Sequence, residues 1–464
     1  MTIRFAGMGD VPPAGRLYSG GATSVSMNPA PIGNSEVKEE KPQRGEHSPH
    51  HQPIDWYMLR CVKGGDVKTK RSKTMALTLA VARTRIALLA AAIAVAGLPG
   101  SAAAMAIKWH PKVQLTNTVV ASQWPDVAAA KGAVHVVWLT DGSKDGRDRI
   151  FYMRSPDGGA TWEEPVRLAR RIDAGPPSIA VAGNTVHVAW TEEAKWVNNE
   201  MITPDLVRYR ASYNGGDSWE PRKRLSSGDP GFRYGVEIAA WGQSVQVAWA
   251  DASGDTWRIW HRRSLDGGQT WLKRKQISHT GRSDYDFSPD IAVRGSHVYV
   301  VWWIGGSGGV AYSGSHDYGK TFSHPITIGF RPYAWSAPAI TAAKSAVVVA
   351  WTEWVDDVAW RVVQRRSTDH GETWADRVPV SDEVDRYAAP AIASSRDRVH
   401  AVWTAELEGR RITQYVRSTD SGATWTSVWR KPGGSAVAAS GPTVHMVWNK
   451  KVSGTWQIFY VRRA

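Results

Sequence analysis

Three acidic residues, Asp126, Glu237 and Asp290, occupy the same place in three units of a sequence that repeats itself. Each stands near the start of a short apolar segment, where the other units carry Ser178, Ala339, Ala391 and Ala436. Paired carboxylates act as acid, base or nucleophile in glycoside hydrolysis. We therefore expect the three to face a common axis and take them as candidate catalytic residues. The competing interpretation is that they bind water or backbone N–H groups in a central channel.

The polar loops before these segments are rich in arginine and aromatic residues. They read GDPGFRYG, GRSDYDFSP, FRPYAWSAP and DEVDRYAAP, beginning at Gly228, Gly281, Phe330 and Asp382. Aromatic faces can stack on a sugar ring, and guanidinium groups bind carboxylates through paired hydrogen bonds. The pattern therefore predicts a ligand-binding rim made of Arg233, Tyr234, Arg331, Tyr333, Trp335 and Arg386. The same loops could instead be solvated connections that carry packing between repeats.

The elements that must position these residues are strands, as a repeated apolar pattern indicates. Seven segments resemble V-x-V-x-W, and they end at Trp138, Trp190, Trp249, Trp302, Trp351, Trp403 and Trp448. Successive tryptophans lie 45 to 59 residues apart. A period of about fifty residues is typical of propeller blades, and helical repeats are shorter. Four of these segments carry a histidine at one shared position, which indicates a scaffold role.

A second repeated pattern reads Ser-x-Asp-x-Gly-x-Thr-Trp, as in RSPDGGATW. Its six copies begin at Ser155, Ser212, Ser264, Ser315, Ser367 and Ser418. Ser and Asp side chains can bind backbone N–H groups in a tight turn, glycine supplies positive φ, and Trp packs between strands. The pattern resembles the Asp-box, or BNR repeat, of the sialidase-like β-propellers. Because it recurs, we expect it to be structural and not catalytic.

The resemblance implies an all-β, Asp-box propeller with four antiparallel strands in each blade. The seventh unit lacks the turn pattern and a fourth strand, but IKWHPKVQLT near Lys108 resembles the TWEEPVRLAR that follows the first turn. We therefore predict that Lys108–Thr116 completes the last blade and closes a ring of seven blades. Six blades with one additional unit is the alternative.

The sialidase resemblance also implies catalytic residues. Members carry Arg-Ile-Pro near the first inner strand, and its arginine joins two others on the substrate carboxylate. They also use an aspartate acid/base and a Tyr–Glu nucleophile pair. This chain has Gln123-Trp124-Pro125 at the first place, so the motif arginine is missing.

Other residues match the family by type alone. Arg233, Arg331 and Arg386 could form the arginine cluster, and Asp145 or Asp148 could be the acid. Tyr387 with Glu237 could be the nucleophile pair. We therefore expect a recognition module that binds a glycan or another extracellular partner in the central funnel. The alternative is a glycoside hydrolase of exo-sialidase type with a divergent active site.

Charge and cysteine content narrow the kinds of partner and metal site that we expect. Of the net charge of +14, residues 1–106 supply +6 through 13 Lys/Arg and 7 Asp/Glu, and the rest shows no dense basic stripe. We therefore expect no nucleic-acid partner. The single cysteine, Cys61, lies outside the repeats, which excludes a disulfide or a cysteine-based metal site there. We expect no cofactor and no metal.

The segment before the repeats predicts export. Residues 1–74 are polar and lack a hydrophobic period, which indicates disorder or a misplaced start. Residues 75–106 combine Arg83 and Arg85, an apolar stretch over Ile86–Leu98 and a small-residue site at Ala104–Ala106, as in a signal peptide. We predict a propeller over 107–464, secreted or on the outside of the cell envelope, without a membrane span. An uncleaved membrane anchor is the alternative.

Overall fold

The structure is a computed structural model. It describes residues 109–463 apart from 142–147, 170–173, 198–199, 253–255, 279–284, 306–307, 331–336, 356–358, 385–387, 408–409 and 432. The predicted leader and signal peptide lie outside these residues. Within the described part of the chain, no helix is long and apolar enough to cross a membrane.

Seven four-stranded antiparallel sheets make up most of the described chain, and each runs from an inner to an outer strand. Blade 1 comprises Ser122–Ala130, Ala133–Thr140, Arg149–Ser155 and Val166–Arg167. Blade 2 comprises Ser178–Ala182, Thr185–Glu192, Leu206–Ser212 and Lys223–Arg224, with an added hairpin of Lys195–Val197 and Glu200–Thr203. Blade 3 comprises Phe232–Trp241, Ser244–Ala252, Arg258–Ser264 and Lys275–Gln276. Blade 4 comprises Asp286–Arg294, His297–Ile304, Gly309–Ser315 and Ile326–Phe330.

The remaining three blades repeat this arrangement. Blade 5 comprises Ala339–Ala342, Val347–Val355, Ala359–Ser367 and Val378–Pro379. Blade 6 comprises Ala391–Ser395, Arg398–Leu407, Arg410–Ser418 and Trp429–Lys431. Blade 7 comprises Ala436–Ser440, Thr443–Val452, Thr455–Arg463 and, as its outer strand, Val113–Gln114.

The blades close into a ring, so the molecule is a seven-bladed β-propeller. Each inner strand contacts the inner strand of the next blade, and that of blade 7 contacts that of blade 1. The outer strand of blade 7 comes from the other end of the chain, with Val113 opposite Tyr460. The predicted closure by the N-terminal strand is confirmed, and the six-bladed alternative is wrong. Closure leaves no open sheet edge at the blade 7 to blade 1 junction.

The core lies between neighbouring blades. Nearly all residues of the second strands are buried, and the marker tryptophans Trp190, Trp249, Trp302, Trp351 and Trp403 are at most 1% exposed. Large apolar side chains on both faces of each sheet are what a strand covered on two sides requires. The packing of neighbouring blades therefore fixes the positions of the inner strands around the axis.

Each repeated turn is held by its own side chains. In the first turn, Ser155 Oγ accepts from Gly159 N at 2.6 Å, and Asp157 Oδ1 accepts from Thr161 N at 2.8 Å. The equivalent bonds recur in the turns that begin at Ser264, Ser315, Ser367 and Ser418. The turns thus satisfy their backbone donors internally, as their sequence pattern predicts.

The turns also bind each blade to the preceding one. In blades 1, 2, 3 and 5 the turn tryptophan packs edge-on against a tyrosine of the preceding blade, with ring centroids 4.8 Å apart, as for Trp162 on Tyr460 and Trp219 on Tyr152. Blade 7 has no such turn, and Trp109 packs edge-on against Tyr415 of blade 6 in its place, at 5.5 Å. The N-terminal segment therefore supplies both the missing strand and the missing tryptophan.

Candidate functional site

The ring has two faces that differ in composition. The lower face carries the repeated turns. The upper face is the end at which the inner strands begin and the second strands finish. Of the predicted site residues, Asp126, Glu237, Asp290, Arg233 and Tyr234 belong to segments near the upper face.

The seven positions aligned in the sequence occupy one level of the ring. In every blade the residue pairs with the one just before the marker tryptophan, for instance Asp126 with Val137 and Glu237 with Ala248. The same pairing holds in the other blades for Ser178, Asp290, Ala339, Ala391 and Ala436. Blades 1 to 4 thus place three carboxylates and a hydroxyl at the level where blades 5 to 7 place alanine.

The carboxylate of Asp126 is buried and joins blade 1 to blade 2. Its Oδ1 accepts from Val127 N at 2.5 Å, and its Oδ2 accepts from Ile179 N of blade 2 at 2.8 Å. Burial raises the pKa of Asp126 well above its usual value, and the nearby charge of Glu237 raises it further, while the two backbone bonds act in the opposite direction. Both oxygens therefore already have backbone partners.

Asp290 makes the same link between blades 4 and 5, accepting from Ile291 N at 2.6 Å and from Ile340 N at 2.5 Å. Between blades 2 and 3, Ser178 Oγ accepts from Ile238 N at 3.2 Å and donates to Glu237 Oε2 at 3.0 Å. Glu237 keeps an exposed fraction of 8%, whereas Asp126 and Asp290 have none. In this structure Asp126 and Asp290 bind backbone N–H groups, as the competing interpretation predicts. A catalytic role for Asp126, Glu237 and Asp290 remains a prediction.

A β-bulge precedes each of the three carboxylates. The pairing register shifts between Gln123 and Asp126, between Tyr234 and Glu237, and between Phe287 and Asp290. The residue after the first of each pair has positive φ, at 47° in Trp124, 61° in Gly235 and 47° in Ser288. Bulges redirect side chains and are frequent beside functional sites. These inner strands therefore extend farther toward the upper face than those of the other blades.

The structure places Arg233 inside the molecule, which corrects its expected position on the rim. Its side chain is fully buried, and Nε donates to Asp251 Oδ2 at 3.0 Å. The other nitrogens donate to the carbonyls of Asp205, Asp229 and Gly231 and to the hydroxyl of Ser227. An arginine has five N–H donors, and these acceptors engage its three nitrogens. In this conformation Arg233 fixes the blade 2 to blade 3 junction and presents no surface to a ligand.

Of the other predicted binding and acid residues, the structure describes Tyr234 and Asp148. Tyr234 is 40% exposed at the upper face. Asp148 is half-buried at the start of the third strand of blade 1, and its Oδ2 accepts from Ala174 N at 3.4 Å. Six calls lie outside the described residues: Asp145, Arg331, Tyr333, Trp335, Arg386 and Tyr387.

An aromatic group that the sequence did not single out lies at the upper face of blades 3 and 4. We call Trp257, Tyr285, Phe287 and Trp303 the upper aromatic group. The ring of Phe287 lies 5.0 Å from that of Trp257, 5.7 Å from that of Trp303 and 6.1 Å from that of Tyr285. Tyr285 is 42% exposed, and the other three rings are half-buried. Tyr285 and Phe287 stand in the GRSDYDFSP loop, so their aromatic type was the available signal.

Further exposed rings belong to other segments of blades 3 and 4. Phe232 is 46% exposed and Tyr234 40% exposed at the start of the inner strand of blade 3, and Phe330 is 65% exposed at the end of the outer strand of blade 4. Single exposed apolar residues are common, but several on one face indicate an interaction surface. Within the described residues, no three His, Cys, Asp or Glu side chains are placed to hold a metal ion.

Comparisons with known proteins show the fold. No protein-family model matches the chain, and no curated protein matches it. Among solved structures, an ulvan lyase of polysaccharide lyase family PL25 is 12% identical with a TM-score of 0.51, covering 73% of this chain and 93% of that one.

Sialidases are also among the similar structures. The NanB sialidase from Streptococcus pneumoniae is 12% identical with a TM-score of 0.47, covering 65% of this chain and 68% of that one. A Hadza microbial sialidase, Hz136, is 14% identical with a TM-score of 0.45 and 61% of this chain covered. The match spans 63% of the length of Hz136, which is less than two thirds. At these identities the likeness is one of fold.

Proposed function

We propose that this propeller, of the sialidase-like Asp-box type, is a recognition module that binds a glycan at its upper face. The observation that carries the proposal is the set of aromatic rings on blades 3 and 4, which includes the exposed Tyr234 and Tyr285. Flat rings with one accessible face offer a large contact area at low conformational cost. The predicted Arg331, Tyr333 and Trp335 follow in the sequence directly after Phe330, which is 65% exposed at the end of the outer strand of blade 4.

The state of the carboxylates favours binding over hydrolysis. An acid or nucleophile must reach the scissile bond, yet both oxygens of Asp126 and of Asp290 accept backbone N–H groups. The family's motif arginine is also replaced, by Gln123. Loss of a charged hydrogen-bonding partner for a substrate carboxylate weakens binding by about 2 kcal/mol or more.

A glycoside hydrolase is the second candidate, and one observation favours it. The raised pKa of Asp126, to which the charge of Glu237 contributes, is the property of a carboxylic acid that can stay protonated and donate a proton. Tyr387 and Asp148 would complete such a site. This candidate requires the inner strands to release at least one backbone bond to the carboxylates.

We further propose that the protein acts outside the cell, in line with the signal-peptide pattern of residues 75–106. Its partner would then be a carbohydrate or another extracellular molecule. The absence of a dense basic stripe in the repeats supports the exclusion of nucleic acid.

The binding proposal is tested with the full chain on an array of neutral and acidic glycans. Tyr285→Ala and Tyr234→Ala should each weaken binding of a recognised glycan about tenfold, which is about 1.4 kcal/mol. The matched control is Trp241→Ala, which removes a 47% exposed ring from the lower face. Unchanged binding in both upper-face variants, or an equal loss in the control, would contradict the proposal.

The hydrolase candidate is tested on aryl glycosides that include the sialoside. Release of the aryl group by the wild type and not by an Asp126→Asn/Glu237→Gln double variant would establish hydrolysis and locate its carboxylates. No turnover by folded protein on any of these sugars supports the recognition module.

A further inference from the structure

An open groove of about 610 Å³ lies where the outer segment of blade 7 meets blade 1. Leu115 lines it from blade 7, and Trp138, Phe151 and Met153 line it from the second and third strands of blade 1. Residues 162–165, which follow the repeated turn of blade 1, also line it. We call it the closure groove, because it lies beside the segment that closes the ring.

An arginine occupies the corresponding position at three other blade junctions. Arg210, Arg262 and Arg365 stand two residues before the turn serine in the third strands of blades 2, 3 and 5. Nη1 of each donates at 2.7 to 3.0 Å to a carbonyl of the preceding blade, in the order Leu168, Leu225 and Ile328. Nε and Nη2 donate at 2.6 to 3.4 Å to the carbonyls of the turn tryptophan and of the residue after it. Each guanidinium therefore binds three carbonyls.

Blade 1 has the same carbonyls but no arginine at this position. Met153 stands two residues before the turn serine of blade 1, is 6% exposed and has no N–H group in its side chain. The corresponding carbonyls belong to Leu115, Trp162 and Glu163, and all three residues line the closure groove. The groove thus presents a set of acceptors that the fold fills with a guanidinium at three other junctions.

The outer segment of blade 7 matches the other outer segments although it comes from the start of the propeller. Leu115 N donates to Ile458 O at 2.8 Å, as Leu168 N donates to Ile150 O at 2.8 Å. Leu115 O therefore stands where Leu168 O accepts from Arg210 in the next junction.

The ring of Phe151 adds a second place for a cation. In blade 3 the same strand position carries Trp260, and the guanidinium of Arg274 lies 4.0 Å from the centre of that ring. In blade 1 the residue at the position of Arg274, three after the turn tryptophan, is Pro165. The half-buried Phe151 can therefore stack with a cation that comes from outside the chain.

We propose that the closure groove binds an arginine side chain of a partner polypeptide, whose guanidinium donates to the carbonyls of Leu115, Trp162 and Glu163. This site lies on different blades from the proposed glycan surface and does not depend on it. A planar guanidinium has five N–H donors in a fixed fork, whereas the donors of an ammonium group surround a single atom. Three carbonyls that already bind an arginine fork elsewhere in this fold therefore favour arginine over lysine.

Net charge contributes little to this preference. Two carboxylates, Glu163 and Glu164, and two guanidinium groups, Arg149 and Arg167, line the closure groove, so their formal charges cancel. Glu163 is bound by Arg154 at 2.7 Å, and Glu164 is exposed beside it. Directional hydrogen bonds to the carbonyls therefore decide which cation binds, and Glu164 is the carboxylate next to the bound guanidinium.

The length of the closure groove favours a polypeptide over a small guanidine. It reaches from Glu164, next to the repeated turn, to Thr118, whose hydroxyl lies 3.3 Å from that of Ser122 at the start of the inner strand. A single side chain covers only part of this distance. The residues on either side of a bound arginine would lie along the rest.

Surface plasmon resonance with the full chain immobilised tests the proposal. The probe is an acetylated and amidated pentapeptide of alanine with arginine at its centre. Replacing that arginine by lysine, or by citrulline, which keeps the shape but loses the charge and one NH₂ group, should each weaken binding about tenfold. Propylguanidine, which carries the side chain without a backbone, should also bind about tenfold more weakly.

Variants of Met153 locate the binding. Met153→Arg places in blade 1 the residue that blades 2, 3 and 5 carry, so its own guanidinium should occupy the carbonyls and abolish peptide binding. Met153→Leu is the matched control, which should keep the groove and the affinity. Glu164→Lys changes an exposed residue and should weaken binding about fivefold through repulsion, which serves as the test if Met153→Arg fails to fold.

The opposite results are equally specific. Equal binding of the arginine, lysine and citrulline peptides, or no binding of the arginine peptide, would overturn the proposal. Full binding by folded Met153→Arg, or by Glu164→Lys, would place the arginine elsewhere and overturn it too. Equal binding of propylguanidine and the peptide would overturn the assignment to a polypeptide partner.

Discussion

Gly216 lies so close to the preceding blade that a residue with a Cβ atom does not fit there. An added Cβ would lie 2.0 Å from the hydroxyl oxygen of Tyr152, and Gly216 has a φ of 104°. Tyr152 is buried and bound to His135, so it cannot move aside cheaply. We expect Gly216→Ala to lower the free energy of unfolding by about 3 kcal/mol, as measured by urea titration.

The control for this prediction separates packing from backbone strain. Gly242 has a φ of 58°, and an added Cβ there would meet no atom within 4 Å. Gly242→Ala should cost about 1 kcal/mol through strain alone. Equal losses in the two variants would show that the contact with Tyr152 is unimportant.

Asp126 and Arg233 show what the sequence can and cannot predict about single residues. Alignment of the repeats correctly predicted the level that Asp126 shares with Glu237 and Asp290. It could not predict the partner of Asp126, because the N–H of Ile179 belongs to the next blade and carries no side-chain signal. Arg233 read as a rim residue because its loop is polar, but buried Asp251 and three carbonyls bind it.

At the scale of elements, blade 7 depends on Trp109. This ring packs edge-on against Tyr415, and the guanidinium of Arg463 lies 5.6 Å from it. We expect Trp109→Ala to lower the free energy of unfolding by about 2 to 3 kcal/mol and to speed proteolysis near the start of the propeller. Val119→Ala, at an 83% exposed position, is the control and should change neither quantity. Identical behaviour of the two variants would argue against closure by the N-terminal segment.

The repeated elements were predictable because their signals are local, and the irregular ones were not. The marker strands and turns follow from apolar alternation and from side chains that bind their own backbone. The bulges before Asp126, Glu237 and Asp290 have no comparable signal, since an extra residue in one strand matters only against its partner. The sequence analysis also did not predict the hairpin Lys195–Val197 and Glu200–Thr203, whose pairing register shifts between Lys195 and Trp196.

At the scale of the whole molecule, buried histidines make the fold sensitive to acid. Burial lowers the pKa to about 4 in His135 and His445 and to about 3 in His187, His261 and His400. Below pH 6.5 the unfolded chain binds protons that the folded chain does not. Stability is therefore complete above pH 6.5 and falls toward pH 4, by up to about 1.4 kcal/mol per pH unit for each histidine. Thermal unfolding at several pH values should show a falling midpoint in this range.

One substitution tests the contribution of a single histidine. In blade 3 the place of His187 is naturally occupied by Gln246, which binds His261 at 2.7 Å. His187→Gln should therefore be tolerated and should reduce the loss of stability between pH 6.5 and pH 4. An unchanged pH dependence in this variant would mean that other groups dominate.

The way blade 7 is built also fixes when the ring can be completed during synthesis. Thr116 binds Gln457 through their side chains across 341 residues of chain. At roughly 5–20 residues per second, a ribosome needs about 20–70 s to travel that distance. The first strand of the propeller must wait unpaired for this time, while its last partner is still being translated. A nascent or truncated chain therefore differs from a finished one in having an open sheet edge.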